Sequence, residues 1–127
     1  MNVLLPLLQA LPTTLLLWLG AQLLGLALAI PVASARMSRN RVLRVVATWW
    51  IEIFRGIPTL VLLFIVFFGL SVDSFRPSTM LASVLALGFS SSGYLAESIR
   101  SGFEAVPRQQ HEAAMALYGE RNRALLP

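Results

Sequence analysis

Long uncharged apolar runs alternate along this chain with short arginine-bearing segments. A bilayer core about 30 Å thick takes about 20 apolar residues at 1.5 Å each, and three runs approach that length. The first covers residues 1–35, is densest from Leu11, and ends where Arg36, Arg39, Arg41 and Arg44 arrive. The second, residues 56–72, lies between Arg55 and Asp73. It would span only about 26 Å as a helix, but crosses if Arg55 snorkels and the helix begins earlier, near Trp49. The third, residues 77–96, precedes Glu97 and Arg100. Pro12 and Pro77 suit helix starts, where a missing N–H costs nothing. The pattern predicts an all-α integral membrane protein with spans at about 11–35, 54–72 and 77–99, and a polar segment at 100–127. Ala33-Ser34-Ala35 resembles a signal-peptide cleavage site, but no basic residue precedes the run and its core is too long for a signal.

Three crossings put residues 36–55 and 97–127 on one side. That face collects Arg36, Arg39, Arg41, Arg44, Arg55, Arg100, Arg108, Arg121 and Arg123, whereas the other has only Arg76, beside Asp73. The positive-inside rule makes the first face cytoplasmic and puts the N-terminus outside.

Composition narrows the chemistry. The chain is 57% hydrophobic and 13% charged, with formal net charge +4, against about a quarter charged in soluble domains. Every one of the 10 basic residues is Arg. Without Lys, a P-loop, a Schiff-base enzyme and a lysine base are excluded. Without Cys, and with His111 as the single histidine, no thiolate chemistry or histidine metal cluster is available. No catalytic residue, cofactor or metal site is expected. A nucleic-acid reading of the arginines is disfavoured, because they flank membrane spans with no stacking platform among them.

Trp49 and Trp50 stand where indole prefers the membrane interface. Ser90, Ser91, Ser92 and Gly93 form a small-residue patch, whose favoured role is close helix packing rather than a substrate path. Glu97 with Arg100, and Glu52 with Arg55, have the i, i+3 spacing of a structural pair. Beyond Arg100, Pro107 opens an amphipathic helix of about three turns with Ala113, Ala116 and Leu117 on one face. Glu112 stands four residues after Arg108, and Gly119 is placed to cap the helix. Composition alone would favour a solvated surface helix here.

The residues Glu112-Ala113-Ala114, followed by Ala116-Leu117-Tyr118-Gly119, resemble the EAA loop of ABC importer permeases. Upstream, Tyr94-Leu95-Ala96-Glu97-Ser98-Ile99-Arg100-Ser101-Gly102 is similar to the run before that loop in the polar amino acid uptake branch. Val106-Pro107 with Gln109-Gln110 resembles the turn into it. Glu52-Ile53-Phe54-Arg55-Gly56-Ile57-Pro58 is similar to the segment opening the second core helix, and the ARMSRN stretch (35–40) matches the first cytoplasmic loop. Leu62 stands where the branch often has Gln.

The resemblance implies part of a type I ABC importer permease core over residues 10–127, with a cytoplasmic EAA-type coupling helix at Glu112, Ala113, Ala114 and Gly119 docking an ABC ATPase subunit. It further implies a second permease chain, identical or related, an extracytoplasmic amino acid binding protein, and a multi-pass place in a bacterial inner membrane among lipid. ATP hydrolysis is expected in the partner. Because Leu125-Leu126-Pro127 follows so soon after Gly119, the chain is expected to be a C-terminally truncated permease. The alternatives are a small structural or regulatory membrane protein or a non-functional permease fragment. An oligomeric ion channel has only the serine patch in its favour, and a membrane enzyme has no constellation at all.

Overall fold

A computed structural model describes residues 4–69, 78–107, 109–110 and 112–113. Four helices follow in order: α1 (Leu4–Met37), α2 (Arg41–Gly56), α3 (Thr59–Gly69) and α4 (Thr79–Glu104). By length and composition α1 and α4 can each cross a membrane, and α2 with α3, bent by 101°, make a third span if counted as one broken element.

Helix α1 continues through Pro12, where the residue pattern predicts a helix start, and through Pro31. Each proline forfeits one backbone hydrogen bond, a loss that membrane helices accommodate. Pro77 lies outside the described residues, and α4 is instead capped by Ser78, whose hydroxyl accepts from the Leu81 N–H at 3.2 Å. The turn between α1 and α2 is closed by its own polar side chains. Asn40 N–H donates to Ser38 Oγ at 3.1 Å, and Asn40 Oδ1 accepts from Val42 N–H at 2.9 Å, which satisfies one of the donors a helix N-terminus leaves orphaned.

The second apolar run is not one smooth helix. Pro58 has no N–H to donate back to Phe54, and its ring disfavours helical backbone at the preceding residue. Ile57 accordingly sits at φ −81°, ψ 125°, ending α2, while Leu62 N–H donates to the Pro58 carbonyl as α3 begins.

Small residues hold the long helices together. Ala21, Ala29 and Ala33 of α1 and Ala82, Ala86 and Ala96 of α4 are buried. A Cβ at Gly25 would collide with the Ser91 hydroxyl and lie 3.2 Å from the Gly88 carbonyl, and one at Gly88 would come within 2.6 Å of Leu24. Such positions let backbones approach where lipid supplies no hydrophobic drive. Gly20 faces Val84 and Gly25 faces Ser91, so α1 and α4 advance in the same direction. Their C-terminal ends, bearing Arg36 and Glu97, therefore share one end of the molecule.

Candidate functional site

The described residues concentrate their polar contacts where the α2–α3 elbow meets α4. Trp50 Nε1–H donates to Ser92 Oγ at 3.0 Å, and Ser92 Oγ donates to the Phe89 carbonyl at 2.7 Å. Beyond the elbow, the hydroxyls of Thr59 and Ser90 are 3.1 Å apart. Ser90 and Ser92 are buried, and each has a partner, as polar groups out of water require. Three rings close the corner. Phe54 stacks on Phe89 with centroids 5.4 Å apart, and Trp50 tilts against Phe54 and Phe89 at 4.6 and 6.0 Å.

Gly93 completes the joint, since a Cβ there would lie 3.2 Å from the Arg55 side chain and 3.4 Å from the Ile51 carbonyl. Arg55 then reaches Tyr94, its guanidinium 5.5 Å from the ring centroid, while Tyr94 O–H donates to the Arg55 carbonyl at 3.4 Å. The two motifs singled out in the sequence, Glu52 to Pro58 and Tyr94 to Gly102, are thus neighbours in space. The serine patch packs α4 against α2 and α3, the role favoured for it. The i, i+3 pairing considered for Glu52 and Arg55 does not form, because the cation turns to the aromatic face instead.

Glu97 and Arg100 do form their pair. Arg100 Nε–H lies 3.2 Å from both carboxylate oxygens of Glu97, its Nη2 is 2.6 Å from Oε1, and its Nη1 bonds Glu104. This ties down the last turns of α4 before the chain turns at Ala105 to Pro107. Gln110 N–H then donates to the Pro107 carbonyl at 3.0 Å. Glu112 and Ala113 have helical backbone and are exposed, and Ala114 and Gly119 lie outside the described residues. Leu62, where the resemblance suggested glutamine, is buried on α3. No group of His, Asp or Glu among the described residues could hold a metal.

Residues 23–123 match the model of the family described as binding-protein-dependent transport system inner membrane component. The chain belongs to this family. Among its relatives are the arginine transport system permease protein ArtQ of Bacillus subtilis, 35% identical over 94% of this chain and 56% of its own length, and the putative glutamine transport system permease protein GlnP of Rickettsia prowazekii, 37% identical over 76% of this chain and 45% of its own. The fold is similar to a crystal structure of an amino acid ABC transporter with histidines, with TM-score 0.77 and 33% identity over 98% of this chain and 62% of that one. The resemblance to amino acid ABC permeases read from the motifs therefore holds. The chain spans about half the length of the curated relatives it matches. The family is described as a membrane component of transport systems, not as a family of enzymes.

Proposed function

We propose that this chain is the membrane-spanning core of a permease subunit in an ATP-driven amino acid importer of a bacterial inner membrane. Its N-terminus lies outside, the second of three crossings runs over about residues 54–72, and residues 36–55 and 97–127 face the cytoplasm. The observation that carries this reading is the match of nearly the whole chain, in sequence and in fold, to an amino acid ABC transporter. The parallel course of α1 and α4 supports the topology, since it brings the arginine-bearing end of α1 and the start of the EAA segment to the same end of the molecule.

In this reading the segment at Glu112, Ala113, Ala114 and Gly119 docks the ATPase subunit. Alanines let a helix lie close to a partner surface, and Glu112 offers a carboxylate to a basic groove. Coupling requires the ATPase states to differ in their contacts with that helix, because a partner that binds both states equally shifts neither. The transport path is completed by a second permease chain, identical or related, and substrate arrives on an extracytoplasmic binding protein.

Two measurements test this. Replacing Glu112 with Ala in the assembled transporter is expected to reduce ATPase copurification and uptake together, and unchanged association and uptake would remove the residue from coupling. The chain has no Cys, so Asn40→Cys and Glu112→Cys each give a single label, and both are expected to react with an impermeant reagent from the cytoplasmic side. Reaction from opposite sides overturns the topology.

A further inference from the structure

Helix α2 carries three different rows along its length. Ala47 and Ile51 are buried, with Trp50 and Phe54 half-buried beside them against α4. Val42, Val46, Trp49 and Ile53 recur at helical spacing and are all exposed, Val42 by 68% and Trp49 by 65%. Arg41, Arg44, Thr48, Glu52 and Arg55 make a third, polar row. At 3.6 residues per turn these rows lie roughly a third of a turn apart around the helix. If α2 crossed the bilayer along its axis, the polar row would hold three arginines and a glutamate down the whole depth of the hydrocarbon, a placement membrane helices avoid unless the charges face protein or water. A helix lying in the interface fits the rows without conflict, with one against the protein, one in the acyl chains and one in water.

The elbow gives the same answer independently. Helix α2 is bent by 101° from α3, and α3 begins beside Ser90 of α4. Trp50 and Arg55 of α2 meet α4 at Ser92 and Gly93, about 7 Å along the helix from Glu97, its first charge. The other end of α2 follows directly on the end of α1, after Arg36 and Arg39. Both ends of α2 therefore sit at the depth where the long helices turn from apolar to charged. Arg39, Arg41 and Arg44 are exposed and meet no carboxylate in an ion pair among the described residues. They concentrate positive charge at the level of the lipid phosphates.

We infer that α2 lies in the headgroup layer on the arginine-bearing side of the membrane, and that Arg39, Arg41 and Arg44 hold the phosphates of anionic phospholipids. Trp49 and the valine row anchor the helix in the acyl boundary, as amphipathic indole and a basic juxtamembrane cluster do. This lipid site is independent of the solute carried and of which face is cytoplasmic, so its failure would leave the permease reading standing.

The experiment uses the full chain in vesicles of phosphatidylglycerol and phosphatidylcholine. Spin labels on Val46→Cys and Ile53→Cys are expected to relax with dissolved oxygen, and labels on Thr48→Cys and Glu52→Cys with a water-soluble nickel chelate. Labels at 46 and 53 shielded from both reagents would mean that protein covers the row, and would overturn the proposal. In the second arm, phosphatidylglycerol retained by the purified chain is counted by native mass spectrometry. Replacing Arg39, Arg41 and Arg44 with Gln is expected to reduce the preference over phosphatidylcholine by about fivefold for each arginine removed, while the corresponding triple Lys variant keeps most of it. Equal retention by the wild-type and the Gln variant overturns the site. These arginines are exposed, so their exchange leaves the packed faces intact, and circular dichroism on the same samples checks this.

Discussion

The Trp50 indole N–H reaches across from α2 to the Ser92 hydroxyl of α4 at 3.0 Å, and that hydroxyl in turn donates to the Phe89 carbonyl one turn back. A residue that interface preference alone would place against lipid is therefore a tie between helices. Removing either partner leaves a polar group in the joint. Trp50→Phe and Ser92→Ala are each expected to destabilise, with a coupling of about 0.6 kcal/mol in a double-mutant cycle, the usual size of such bonds inside membranes. A coupling near zero, measured by unfolding in mixed micelles, would mean that the rings alone hold the joint.

Close approach of α1 and α4 makes a sharper prediction. Gly25→Val inserts carbons where Ser91 and the Gly88 carbonyl already stand. Overpacking of this kind costs about 1–3 kcal/mol, and a lowered Tm in detergent should report it. Gly69→Ala has open space around it and should leave Tm unchanged, serving as the control.

Pro58 fixes the elbow. With Pro58→Ala the missing N–H is restored and Ile57 is released from its extended backbone, so α2 and α3 should straighten toward one helix. The spectroscopic distance between labels at positions 46 and 66 is expected to lengthen. An unchanged distance would show that the contacts of Trp50, Arg55 and Thr59 with α4 hold the bend without the proline.

The Arg100 pairs, by contrast, should matter little to stability. Glu104 is 62% exposed, and Arg100 and Glu97 are about a quarter exposed. Pairs at such sites contribute about 0.2–1 kcal/mol. Arg100→Gln is expected to lower Tm only slightly, and less so at high salt, where screening weakens the pairs already in the wild-type protein.

Much of this was legible in the residues. Apolar length announced α1 and α4, and the motif order pointed to the family, because both signals are local in the chain. The elbow was harder to read. Pro58 was visible, but a hydropathy count rewards the apolar run on both sides of it and is blind to a change of direction. The amphipathic rows of α2 escape the same count for a related reason, since it rewards uncharged stretches and α2 carries charge at helical spacing. The partners of Arg55 could not have been read from spacing at all. Glu52 is three residues away in sequence, whereas Tyr94 comes from another helix, and only the fold decides between them.

Because the glycine stretch of α1 packs on α4, with Gly20 against Val84 and Gly25 against Ser91, its partner emerges from the ribosome only about sixty residues later, a strongly non-local pairing. Newly inserted α1 must therefore wait in the bilayer with Gly20 and Gly25 uncovered, accessible to the wrong neighbour. Assembly of this protein is thus gated by the delivery of α4, and a chain arrested before residue 79 leaves the translocon without its mate.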